Sequence, residues 1–481
     1  MHASVAAVSF FCPADKQSLV CLLPFSSQHK AVLNERQVQV PESEDSKPSN
    51  YFKPLKPDYK IGYMTNSTPD AYAALRIPAY RRFLSMRLMM TLSIQIMSVS
   101  VGYFVYELTG DPLMLGFIGL AEALPAIGIS LHAGHLADKY NRRNIIAACI
   151  LVLMLCGFAL WMLAINRAIL GTPLLLSGIY TVIFFTGIAR GFFSPTNFAF
   201  LPQLVDREIL PNAISWNSSS WSVASITGLG IGGLLYGFVG VSATFAVMTC
   251  LSLLAFIFIL RIAPRPIPDA DHTEPALVRI KAGIRFVFSN QLIISTVLLD
   301  LFAVLFGGAV ALLPVFAKDI LKVGPQGLGI LRAAMSLGAI SMAFFLAHRP
   351  LNKNAGKIML ACVAGFGLCI IGFGLSQWFW LSFFFLFMAG VLDEVSVFIR
   401  ASLVQFQTPE HMKGRVSSVN SIFITSSNEI GAFESGLAAS LMGTVPSVIF
   451  GGCMTLLVVG ITWWRAPKLR GYDFSSADQR E

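Results

Sequence analysis

The sequence predicts an all-α integral membrane protein with twelve transmembrane helices in two six-helix halves. Three observations carry this prediction. Hydrophobic residues make up 55% of the 481 residues and charged residues 13%, against about 45–50% and 25% in soluble domains. Twelve apolar runs follow one another along the chain, each near the roughly 20 residues that a helix needs to cross a bilayer. Lys and Arg fall almost entirely on one side of those runs. A β-barrel is excluded, because its strands would be about ten residues long with strict alternation.

Residues 1–75 stand apart as a polar N-terminal extension. Within it, 1–63 hold several Pro and Ser and no lasting apolar period. They read either as a disordered tail or as sequence upstream of a translation start at Met64. The short apolar piece Ala3–Cys12 lacks the basic lead of a signal peptide. The first six runs are 83–107, 113–136, 145–166, 173–199, 212–238 and 242–262, within a first half of 76–262. A linker, 263–289, carries Pro264, Pro266, Pro268 and Pro275. The last six runs are 290–316, 327–347, 356–374, 379–406, 416–442 and 446–464, within a second half of 290–465, and 466–481 form a tail.

Orientation follows from the charges. With the N-terminus inside, the inner segments carry twenty Lys and Arg, and the outer loops carry only Arg167, Lys318 and Lys322. This is the positive-inside bias, and it puts both termini in the cytoplasm. The formal net charge of +9 is then a property of cytoplasmic loops, with no need for a nucleic-acid partner.

Six cysteines (Cys149, Cys156, Cys250, Cys362, Cys369 and Cys453) lie in apolar runs, where they serve as small hydrophobes. No CxxC pair or zinc spacing occurs. There is no Gly-x-x-x-x-Gly-Lys-Ser/Thr loop, no serine elbow and no His-Glu-x-x-His. The expectation is therefore no enzyme, no cofactor and no metal. His132 and His135 read as interfacial.

Between helices 2 and 3 the chain reads Gly134-His-Leu-Ala-Asp138-Lys139-Tyr-Asn-Arg142-Arg143. Glycine permits close helix contact. Asp138 can accept hydrogen bonds at a helix start or pair with a base. Arg142 and Arg143 would hold the loop at an anionic membrane face. This stretch resembles the loop signature of the major facilitator superfamily. It departs from that signature with Asn141 where Gly or Asp is frequent and Lys139 where Arg is frequent. The corresponding second-half segment, from His348 to Lys353, is basic but lacks the motif.

Further stretches resemble the bacterial branch of transmembrane secretion effectors that includes a siderophore exporter. They are Tyr106-Glu107-Leu-Thr-Gly110, Phe200-Leu-Pro202-Gln-Leu-Val205, Leu313-Pro314-Val-Phe316-Ala, Gly414-Arg415-Val416-Ser and Ser427-Asn428-Glu429-Ile-Gly431-Ala-Phe433-Glu434-Ser-Gly436. The resemblance implies pseudo-symmetric halves rocking about a central site. It also implies a central cavity lined by helices 1, 4, 7 and 10.

Helix 5 holds Gly228, Gly232, Gly233 and Gly237. Small residues four apart let helix backbones approach closely. The stretch is similar to an exporter element of the superfamily but lacks its proline.

A charge at the bilayer centre costs about 2.5–3.5 kcal/mol on insertion scales, so each one asks for a reason. At 1.5 Å of rise per residue, Glu122, Asp300 and Glu429 fall near mid-membrane. Asp393 and Glu394 fall in the inner half. Arg87, Arg190 and Arg400 lie nearer the inner face, and Arg332 toward the outer. Proton coupling needs a carboxylate that holds a proton in one state and releases it in another. Apolar surroundings favour its neutral form and a nearby Arg favours its charged form. Asp300 is the first candidate, followed by Glu429 and Glu122. By the resemblance, Arg87, Arg190, Asp393, Glu394 and Arg400 are cavity candidates. Asp393 and Arg400, seven apart, share a helix face. The arginines could instead snorkel to the interface. The Phe-rich helix 10 reads either as packing or as a stacking surface for a planar cargo.

The expected protein is thus a monomeric proton-driven carrier of the bacterial inner membrane, embedded in lipid and exporting a small molecule such as a siderophore or drug. The alternatives are a lysophospholipid or multidrug transporter, or a non-transporting membrane accessory protein.

Overall fold

The computed structural model describes residues 70–265, 276–349, 351, 353–409 and 412–474. The extension up to residue 69, with its alternative start at Met64, lies outside them.

Local signals set the helix ends. α1 (Pro78–Thr109) begins with proline at its first position and ends where Gly110 takes φ +63°. α2 (Pro112–Lys139) follows at once, because the Asp111 side chain accepts from the Leu113 N–H and Pro112 starts the turn. Such caps and N1 prolines satisfy or remove the orphan donors of a helix start. Only Tyr140 and Asn141 separate α2 from α3 (Arg142–Ile165). α4 is Thr172–Phe200.

α5 (Leu210–Leu260) runs for 51 residues, far beyond one bilayer crossing, and is broken at Gly240, with φ +82° and ψ +169°. Only glycine adopts that backbone freely. The two arms of α5 are the fifth and sixth expected runs. α6 (Ala276–Ser289) occupies half of the expected linker. α7 (Gln291–Phe306) follows after one residue, Asn290, whose side chain accepts from the N–H groups of Leu292 and Ile293. Then come α8 (Gly324–His348), α9 (Ala355–Leu375), α10 (Phe379–Gln407), α11 (Lys413–Met442) and α12 (Thr444–Arg465).

Ten described helices are long and apolar enough to span a membrane. Two differences separate this number from twelve. α5 enters once although it holds two arms. α11, thirty residues long, is rich in Ser, Asn and Glu and so falls short in apolarity. The described helices are consistent with twelve crossings.

In the first half α1 packs on α5, α2 on α4, and α3 on both α4 and α5. In the second half α8 packs on α10, α9 on α10 and α12, and α7 on α11 and α12. The halves meet mainly through two helix pairs, α2 with α11 and α5 with α8. Their closest approaches use glycine. A Cβ on Gly436 would sit 2.9 Å from the Cα of Gly116, and one on Gly233 would sit 2.6 Å from the Cα of Gly329. Both approaches lie at the end of the bundle opposite the α2–α3 turn. The glycines of α5 divide by face. Gly228 and Gly232 rest on Gln95, Leu92 and Ile96 of α1, whereas Gly233 and Gly237 rest on Pro325, Gln326 and Gly329 at the start of α8.

The α2–α3 motif is built differently from the expectation. α2 continues to Lys139, so Gly134, Asp138 and Lys139 are helical and Asp138 is at a helix end. Their side chains lie outside the described residues, as do those of His132 and His135. The cap of α3 is Asn141, whose side chain accepts from the Arg143 N–H at 3.1 Å and donates to the Arg265 carbonyl at 2.8 Å. Nor do the two arginines reach only toward lipid. Arg142 donates to the Ala199 carbonyl at 3.0 Å, and Arg143 to the carbonyls of Leu260 at 2.7 Å and Ile262 at 3.2 Å. These are the free carbonyls at the ends of α4 and α5, where cations are favoured. Arg82 adds a third such bond, to the Arg261 carbonyl at 2.7 Å.

An Asn141→Ala variant should lose about 1 kcal/mol, the usual worth of an N-cap, and Asn141→Asp should keep most of it. Thermal unfolding in detergent checks this: a lower midpoint for the alanine variant only.

Candidate functional site

A cavity opens among α7, α8, α10 and α11, with Gln95 of α1 and Leu229 of α5 closing one side. Its walls are mostly apolar and include Leu331, Met335 and Phe366. Four charged side chains line it: Asp300, Arg332, Asp393 and Arg400. Ser427 and Asn428, from the α11 motif, add polar groups. Apolar walls with a few convergent polar groups are the usual form of a small-molecule site.

α7 and α10 bring the main pair together. Arg400 Nη1 lies 2.6 Å from Asp300 Oδ2. Both are almost fully enclosed, Asp300 at 6% and Arg400 at 4% exposure. Arg400 is therefore neither snorkelling nor free. Asp393 faces the same cavity from two turns earlier on α10, as the seven-residue spacing predicts. Glu394, one residue on, is buried and does not line the cavity.

A second cluster sits between the halves. Arg190 of α4 forms an ion pair with Glu122 of α2. Glu429 of α11 lies against α2, its carboxylate beside Gly119, and is within electrostatic reach of both Arg190 and Arg332. Arg332 in turn donates to Ser98 Oγ of α1 at 2.9 Å. Charge thus runs from α2 and α4 through Glu429 to α8 and back to α1. Arg87 stays apart on α1, with its Nε buried and unbonded among the described residues.

The cavity candidates are therefore split. Asp300, Asp393 and Arg400 share one cavity. Glu122, Arg190 and Glu429 belong to the junction beside it. Arg332 joins the two, which its linear position toward the outer end did not reveal. The aromatic residues of α10 pack rather than line the site: Phe383 stacks on Phe387, with centroids 6.5 Å apart, and Phe384 meets Phe385 edge-on.

The Tyr106-Glu107 motif also finds a role. Tyr106 donates to Asp319 across the halves, Lys318 sits 5.2 Å over the Tyr106 ring, and Tyr236 donates to Glu107. The Tyr106–Asp319 contact joins the halves at the same end of the bundle as the Gly116–Gly436 and Gly233–Gly329 approaches.

Comparison with known proteins agrees with this architecture. A model of the transmembrane secretion effector family matches residues 69–480. The chain is 28% identical to the enterobactin exporter EntS of Shigella boydii serotype 4 (strain Sb227) over 389 residues, which is 80% of this chain and 90% of that protein. EntS of Escherichia coli O1:K1 aligns to the same extent. Among solved structures, a D-xylose–proton symporter superposes with a TM-score of 0.64 at 13% identity, covering 82% of this chain and 99% of the other. A bacterial homologue of the human lysosomal transporter Spinster, in an inward-facing conformation, gives 0.61 at 13%, covering 86% and 98%. At such identities these structures speak for the fold alone. The chain is a multi-pass membrane carrier of small molecules rather than an enzyme, and it belongs to the transmembrane secretion effector family of the major facilitator superfamily.

Proposed function

We propose that this carrier exports a small, partly hydrophobic, siderophore-like cargo from the bacterial cytoplasm in exchange for protons. It acts as a monomer in the inner membrane, with both termini cytoplasmic. Residues 76–262 and 290–465 are its two rocking halves, joined by 263–289. The observation that carries this reading is the enclosed Asp300–Arg400 pair in the wall of the cavity, with Asp393 and Arg332 beside it. Deprotonated Asp300, held beside Arg400, can accept a hydroxyl group of the cargo, and a proton on Asp300 removes that acceptor and releases the cargo. Mutually exclusive binding of proton and cargo at Asp300 is the coupling that an exchanger needs.

The contacts between Gly116 and Gly436, between Gly233 and Gly329, and between Tyr106 and Asp319 lie on the side that the charge bias assigns to the exterior. This supports a state sealed outside and open toward the cytoplasm, ready to load cargo. The names of the 28%-identical relatives favour a catecholate siderophore as the first cargo to try.

The test uses inside-out vesicles with an imposed proton gradient and a pH-sensitive dye. Adding a catecholate siderophore should collapse the gradient in vesicles that contain the carrier and not in empty ones. Cationic drugs and lysolipids serve as comparators. Protein present in the membrane with no gradient change for any cargo would refute proton exchange.

A further inference from the structure

α6 lies outside the cavity and the transport reading leaves it without a task. It is 14 residues long and is joined to the membrane-spanning α7 by Asn290 alone. That short elbow holds α6 at the bilayer boundary. One face is seated on the rest of the protein. Gly283 and Val287 are buried, and a Cβ on Gly283 would come within 2.8 Å of the Arg415 carbonyl at the start of α11.

The opposite face carries Lys281, Ile284, Arg285 and Phe288, at positions i, i+3, i+4 and i+7, which form one stripe of a helix. All four are exposed, Ile284 at 42% and Phe288 at 57%. Phe288 makes a tilted ring contact with Phe423 of α11, centroids 6.4 Å apart, which fixes its depth while leaving most of it open. The exposed faces of the spanning helices are largely apolar, as with Leu151, Leu155 and Phe158 of α3. This stripe instead mixes two cations with two large apolar side chains, the pattern of a helix lying in the headgroup layer. Basic residues there attract anionic lipid, and apolar ones enter the acyl boundary.

We propose that α6 is an interfacial helix that binds anionic phospholipid headgroups through Lys281 and Arg285, anchored by Ile284 and Phe288.

The test places a Phe288→Trp reporter in the full-length chain, reconstituted in phosphatidylcholine bilayers. Quenching by brominated phosphatidylglycerol is compared with quenching by brominated phosphatidylcholine at equal mole fraction. The signal of the native tryptophans, read from the parent chain, is subtracted. Quenching should be several-fold stronger with the anionic lipid, and the preference should vanish with Lys281→Gln and Arg285→Gln together. An Ile284→Trp reporter, which leaves the Phe288–Phe423 contact intact, should give the same pattern. Equal quenching by both lipids, quenching by neither, or a preference that survives the double substitution would overturn the proposal. Both cations are exposed, so their neutralisation leaves the packed face of α6 untouched.

Discussion

Asp300→Asn should abolish uphill transport, by at least about a hundredfold, while the protein still inserts in the membrane. The argument has two parts. In the proposed cycle Asp300 is the group that alternates between a proton and the cargo, and an amide cannot take up or release that proton. The second part concerns stability. The pair is buried at 2.6 Å, and removing one partner of a buried ion pair costs about 3–5 kcal/mol because the other charge is left uncompensated. Asp393, facing the same cavity, offers Arg400 another carboxylate, so the loss should fall at the low end of that range. The two effects can be separated. Asp300→Asn combined with Arg400→Gln removes the uncompensated guanidinium and should recover much of the thermal stability, yet transport should remain absent. Recovery of transport along with stability would mean that the pair is structural only. Detergent-solubilised thermal unfolding and vesicle transport, measured side by side, check both parts.

Gly233→Val should have the second largest effect, by disturbing the equilibrium between the two states of the carrier. A Cβ at this position would lie 2.5 Å from the Pro325 carbonyl oxygen and 2.6 Å from the Gly329 Cα. Both obstacles are backbone, so no side chain can rotate away. Overpacking of this kind costs about 1–3 kcal/mol. Here the cost falls mainly on the state in which α5 and α8 touch, and a shift of that size changes the ratio of states by about 5- to 150-fold. Gly230, one turn earlier on α5, has nothing within 4 Å of its Cβ position, so Gly230→Val is the control. Accessibility of a single cysteine placed near Gln326 should rise in the Gly233 variant and stay unchanged in the control. Equal behaviour of the two variants would remove the α5–α8 approach from the seal.

The sequence made the transmembrane runs and the side of the positive charge legible, because both follow from composition along the chain. It also placed Asp393 and Arg400 on one helix face, since they are seven apart, and both line the cavity. What it could not supply was direction across helices. Glu429 and Asp300 stand at similar depth, yet one looks toward Arg190 and Arg332 between the halves and the other into the cavity. Helix–helix contacts alone set that difference. The reach of Arg332 was hidden for a related reason: its long guanidinium stem crosses to Ser98 of α1. At the α2–α3 turn, the helix boundary was not legible. Asn141, read as a departure from a family pattern, is the residue that caps the next helix, and the two arginines turn inward to carbonyls.

The central claim is that cargo and proton compete for one charged pair in the cavity. The most direct measurement is proton release by purified protein in weakly buffered detergent solution, followed with a pH indicator as a catecholate siderophore is added. The account predicts about one proton released per cargo bound in the wild-type chain and none with Asp300→Asn at saturating cargo. Cargo binding with no proton exchange in the wild-type chain, or with exchange unchanged in Asp300→Asn, would contradict it.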